Sequence, residues 1–174
     1  MDIAELRSKI RDIEDFPTEG ILFKDITTLL KDAPAFRAVI DHLAERYERE
    51  RVEVVVGIES RGFIFAGALA HQLRAGFVPV RKLGKLPAQT IEVEYELEYG
   101  RDALAIHEDA IRAGQRVLAV DNLLATGGTM AATLRLLGQL GGHVVGVAFM
   151  IELAFLHGRE KLQSYPVHSL IVYE

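Results

Sequence analysis

VLAVDNLLATGGTM, residues 117–130, runs from a short apolar strand into Asp121 and Asn122. It then enters a hydroxyl- and glycine-rich turn, Ala125-Thr126-Gly127-Gly128-Thr129, that opens a helix. In an open parallel sheet, ligands bind beyond the carboxyl ends of the strands, where this turn falls. Two glycines keep side chains out of the way of a ligand approaching the backbone, and a helix start offers unpaired N–H groups to an anion. Thr126 and Thr129 add hydroxyl donors for the same oxygens. The turn lacks the lysine of a G-x-x-x-x-G-K-S/T loop and the spacing of G-x-G-x-x-G, so neither nucleotide fingerprint applies. A phosphate monoester fits, and Asp121 is placed to accept hydrogen bonds from sugar hydroxyls beside it. The combination reads as a site for a phosphorylated ribose. By spacing alone, T-G-G-T also suits the start of a tightly packed helix.

Working outward, short apolar runs alternate with helical spacing. VEVVVGIES (52–60), FVPVRK (77–82), HVVGVAFMIEL (143–153) and HSLIVYE (168–174) read as strands, and GFIFAGALAHQL (62–73) and TGGTMAATLRLLGQL (126–140) as helices. This alternation predicts an α/β fold, a mostly parallel twisted sheet flanked by helices, in a single domain spanning 1–174. Near the N-terminus, Asp2 caps a helix with Ile3, Leu6, Ile10 and Ile13 on one face. DFPTEG (15–20) breaks it, and ILFKDITTLL (21–30) is irregular. Pro34 then suits the first turn of a helix carrying Phe36, Val39, Ile40, Leu43 and Tyr47. Further on, a Gly/Pro loop becomes a strict alternation. Val93, Tyr95, Leu97 and Tyr99 share one face, and Glu92, Glu94, Glu96 and Glu98 share the other, where alternation alone makes them solvated.

Composition narrows the function classes. The 174 residues carry a net charge of −5 and no cysteine. Disulfides, thiolate metal sites and cysteine nucleophiles are excluded, and a broad nucleic-acid or anionic-membrane surface is not expected. The six histidines show no metal-ligand spacing. No run is long enough to span a bilayer, so a cytoplasmic protein is the expectation.

The stretch VLAVDNLLATGGT resembles the phosphoribosyl-diphosphate signature of type I phosphoribosyltransferases, and LLATGGTM resembles its form in the adenine phosphoribosyltransferases. DFPTEGILFKDIT, GIESRGFIFA, VRKLGKLPAQT, YELEYG, IELAFLHGREKL and HSLIVYE are similar to the same family in the same order, covering nearly the whole chain. The resemblance implies transfer of a phosphoribosyl group from phosphoribosyl diphosphate to adenine, giving AMP and pyrophosphate, with magnesium held mainly by substrate and water. It implies a type I fold with a small N-terminal hood, about 14–30, and a flexible lid, about 83–95.

It also implies site roles. Asp121, Asn122 and Ala125, Thr126, Gly127, Gly128 and Thr129 hold the ribose 5-phosphate. Ser60, Arg61, Arg81, Lys82 and Lys85 surround the pyrophosphate, with part of that basic cluster across a homodimer interface. Leu22, Phe23 and Lys24 recognise adenine, and Glu98 assists proton transfer at its imidazole ring. Glu98, Asp121 and Arg61 are the expected catalytic residues. Asn122 departs from the family's adjacent acids. An amide exchanges hydrogen bonds with a hydroxyl but lacks the charge that strengthens them, which predicts a slower enzyme. The same departure suits a non-catalytic regulatory module that binds phosphoribosyl diphosphate.

Overall fold

The structure, a computed structural model, describes residues 1–97 and 100–174. The described chain divides into two compact units, Met1–His42 and Leu43–Glu174.

In the first unit, helix α1 (Ile3–Ser8) starts with a capping box: Asp2 accepts from the Glu5 N–H and Glu5 accepts from the Asp2 N–H, each at 2.8 Å. The expected helix face through Ile10 and Ile13 is not formed. The Thr28 hydroxyl donates to the Lys9 carbonyl at 2.6 Å, and the chain turns into strand β1 (Arg11–Ile13), antiparallel to β2 (Phe23–Asp25). Across this ribbon, Arg11 pairs with Asp25 at 2.5 Å and Lys24 with Asp12 at 2.7 Å. The segment expected to be irregular therefore holds β2 and a short helix α2 (Thr27–Leu30). Helix α3 (Ala33–Tyr47) forms as predicted, with Val39, Ile40, Leu43 and Tyr47 buried.

The second unit is built on a seven-stranded sheet of order β5-β6-β4-β3-β7-β8-β9. Strands β3 (Val54–Ile58), β4 (Gly76–Lys82), β7 (Arg116–Leu124), β8 (His143–Leu153) and β9 (Val167–Tyr173) run parallel. Every residue of β3 is buried, as expected of a central parallel strand whose continuous apolar run leaves no polar face. Helix α4 (Gly62–Leu73) packs on β3 and β7, and α5 (Gly128–Gln139) packs on strands that include β7. Strand β5 (Thr90–Glu96) pairs antiparallel with β6 (Arg101–His107), which pairs antiparallel with β4. Val93 and Tyr95 are buried while Glu92, Glu94 and Glu96 are exposed, as alternation predicts. Leu97 departs: it lies past the strand end and is 47% exposed. Residues 90–95 of the expected lid belong to this hairpin.

Candidate active site

Three parallel strands end side by side and supply the site. Strand β7 extends through Leu124, three residues beyond the strand expected from sequence, because β8 continues to pair with it as far as Leu124 opposite Glu152. Asp121 and Asn122 thus sit in extended backbone. A cavity of about 80 Å³ lies between Asp121 and the loop Ala125–Thr129, lined also by Met130 and Phe149. Gly127 caps α5 at φ 81°, a left-handed conformation that glycine adopts without steric cost. A glycine cap has no side chain to occupy the first N–H groups of the helix, so they remain available to an anion.

Asp121 faces this cavity and Asn122 does not line it. Successive residues of a strand point to opposite faces, and Asn122 is only 7% exposed. Its backbone N–H donates to Asp121 Oδ1 at 2.8 Å. Burial pushes the Asp121 carboxyl up to about 7, opposed by that N–H and by the charge of Arg61. Helix α4 begins with Gly62, where a Cβ would lie 2.7 Å from Asp121 Oδ1. A glycine at this point is what lets the Ser60-Arg61 turn approach the carboxylate. The Glu59–Ser60 peptide in that turn is cis, and Ser60 and Arg61 are exposed.

The basic cluster at the end of β4 has carboxylate partners. Arg81 Nε donates to Glu59 Oε2 at 2.6 Å, and the Lys82 N–H donates to Glu59 Oε1 at 2.9 Å. Burial pushes the Glu59 carboxyl up, but the Lys82 N–H and Arg81 outweigh it and hold the group below its usual value. Lys82 Nζ hydrogen-bonds the Asp102 carboxylate and lies 3.3 Å from the Tyr95 hydroxyl. Lys85 is exposed. Sequence reasoning missed Glu59 and Asp102 as partners of these cations. Glu59 had a signal, since it stands beside Ser60-Arg61; Asp102 had none, because its partner is distant in sequence.

In the N-terminal unit, Leu22 is 48% exposed, and Phe23 packs edge-on against Phe16 at 5.1 Å. Lys24 carries the ion pair with Asp12. Glu98 lies outside the described residues.

Residues 27–171 match the phosphoribosyl transferase domain family. The chain is 59% identical to the adenine phosphoribosyltransferase of Acidobacterium capsulatum over 168 residues, 97% of this chain and 93% of that one. The chain belongs to the adenine phosphoribosyltransferases. Among solved structures, the adenine phosphoribosyltransferase of Thermoanaerobacter pseudethanolicus is 53% identical with a TM-score of 0.95, covering 98% of this chain and 99% of that one. That of Saccharomyces cerevisiae, complexed with adenine and an imino-altritol bisphosphate, is 42% identical with a TM-score of 0.92, covering 97% of each. As an adenine phosphoribosyltransferase, the chain is a pentosyltransferase, and its parallel sheet and flanking helices are the fold of these relatives.

Proposed function

We propose that the cavity at the end of β7 holds the phosphoribosyl group during its transfer from phosphoribosyl diphosphate to adenine in purine salvage. The observation that carries this reading is that Asp121 and the Ala125–Thr129 loop line one cavity at the start of a helix. Backbone N–H groups and the Thr126 and Thr129 hydroxyls bind the 5-phosphate, while Asp121 accepts from a ribose hydroxyl. The bond from the ribose anomeric carbon to the diphosphate oxygen breaks. A bond to an adenine ring nitrogen forms, and the imidazole ring loses a proton. Glu98 assists that proton's departure. Ser60, Arg61, Arg81, Lys82 and Lys85 stabilise the charge of the leaving pyrophosphate, a guanidinium matching paired phosphate oxygens.

Magnesium supplies charge neutralisation to the diphosphate. Its preference for oxygen donors would be met mainly by substrate oxygens and water. Leu22, Phe23 and Lys24 form the hood over the base, and the loop 83–89, the part of the expected lid outside the β5–β6 hairpin, closes to keep water from an oxocarbenium-like transition state. The working unit is a cytoplasmic homodimer.

The test is AMP formation from adenine, phosphoribosyl diphosphate and magnesium, by this protein and by its Asn122→Asp variant. Turnover by this protein supports the reading. Because Asn122 does not line the cavity, a variant about ten- to a hundredfold faster makes it an attenuating residue through the missing charge rather than through a bond to ribose. Equal rates sink the attenuation. Binding of phosphoribosyl diphosphate without AMP in either form favours the regulatory module that Asn122 also suits.

A further inference from the structure

Behind the proposed phosphate loop stands a five-residue 3-10 turn, Gly158–Leu162. Its first residue touches the loop backbone to backbone. A Cβ on Gly158 would collide with the Ala125 carbonyl oxygen and lie 2.9 Å from Leu124 Cδ1. A Cβ on Gly127 would in turn collide with the Gly158 carbonyl oxygen. The loop therefore has its conformation set from behind by Gly158, with no side chain between them to absorb a shift.

Arg159, the next residue, fixes where Gly158 stands. Its Nε donates to Glu152 Oε1 at 3.0 Å and its Nη2 to Glu152 Oε2 at 2.5 Å. Nη1 donates to the Val167 carbonyl at 2.9 Å, and Nη2 lies 3.3 Å from the Ser169 hydroxyl. Glu152 is 5% exposed, so this two-point pair is held with little competition from water on the carboxylate side. Glu152 also stands opposite Leu124 in the β7–β8 register, one residue before the loop begins. The connection closes on itself: Leu124 beside Glu152, Glu152 clasping Arg159, Arg159 carrying Gly158, and Gly158 against Ala125.

We propose that Glu152 and Arg159 are positioning residues for phosphoribosyl diphosphate, acting through Gly158 on the loop Ala125–Thr129. This rests on the reading that the loop holds the 5-phosphate. A small misplacement of N–H donors weakens phosphate binding without touching the base-binding residues, so the effect is specific to one substrate.

The experiment compares Arg159→Gln, Arg159→Lys and Glu152→Gln with the parent in the full chain, at a temperature well below each measured Tm. The readouts are the dissociation constant for ribose 5-phosphate, the KM for each substrate, and kcat. The double variant Thr126→Ala/Thr129→Ala is the control for the loop itself. Arg159→Gln and Glu152→Gln are expected to weaken ribose 5-phosphate binding and raise the KM for phosphoribosyl diphosphate by roughly ten- to a hundredfold, with the adenine KM unchanged. Arg159→Lys is expected to recover part of the loss, because an ammonium replaces the fork with a single donor. If Arg159→Gln does not fold, the same substrate-selective loss, smaller, is read from Arg159→Lys. Lowered Tm with unchanged ribose 5-phosphate affinity, while the threonine control does weaken it, overturns the proposal and leaves the pair a structural brace. If the threonine control also leaves affinity unchanged, the loop is not the phosphate site, and the proposal falls with that reading.

Discussion

At the scale of single residues, Asp121 carries the most consequential chemistry. Burial raises its carboxyl to about 7 from an ordinary 3.8. Between those values the folded chain binds a proton that the unfolded chain has released. Stability from this group therefore falls as pH rises through that window and is level above it. Binding runs the other way, since the ionised carboxylate is the better acceptor for a ribose hydroxyl. Ribose 5-phosphate affinity is expected to rise with pH toward 8. The phosphate itself titrates near roughly 6, so the comparison with Asp121→Asn isolates the side chain. The ratio of the two affinities should grow from pH 5 to 8; a constant ratio would remove Asp121 from the ribose site. Asp121 and the glycines were legible in the sequence because the chemistry demands those residue types. Asp102, Gly158 and Arg159 were not, because their roles depend on groups that only the fold brings near.

At the scale of elements, the approach of α4 to β7 sets the distance between Arg61 and Asp121. Gly62→Ala places a methyl 2.7 Å from Asp121 Oδ1 and 3.4 Å from the Val120 carbonyl oxygen. The helix itself gains up to about 1 kcal/mol from the exchange of glycine for alanine. Little change in Tm is therefore expected alongside a loss of kcat/KM of roughly tenfold or more. Steady-state kinetics with a parallel melt checks this; unchanged kcat/KM would show that the turn tolerates displacement. Element legibility followed length and period. Helix α4 and strand β8 are found at the predicted residues because α4 buries Gly62, Phe65, Ala66, Leu69 and Ala70 at helical spacing and β8 is a long continuous apolar run. Strand β6, RDALAIH, was missed: its alanines are weak strand formers, and it pairs with two strands, β4 and β5, that both precede it in the sequence. Strand β2 and helix α2, three and four residues long, are too short to display a period.

At the scale of the whole molecule, the parallel centre of the sheet was legible from strand–helix alternation, whereas its antiparallel flank β4-β6-β5 was not. That flank is no ornament to the core. Leu104, on β6 between β4 and β5, is fully buried, and Val80, Val93 and Ile106 belong to the same apolar cluster. Leu104→Ala is expected to cost about 2–5 kcal/mol, a fall in Tm of roughly 5–20 °C in a chain of this size. Thermal denaturation followed by circular dichroism reads it out. A change under 1 °C would mean that the flank contributes little to the stability of the sheet.

The alternation along β5 has a further consequence for how copies of this chain behave together. β5 ends the sheet order, and its exposed side chains are Glu92, Glu94 and Glu96, with Arg101 approaching two of them at 3.9 Å. A terminal strand invites pairing with another chain, and a row of like charges discourages it. This restraint acts only over a screening length, about 8 Å at physiological salt and about 3 Å at 1 M. Colloidal stability at this margin of the protein is thus tied to the salt around it, while the buried face of the same strand is indifferent to it.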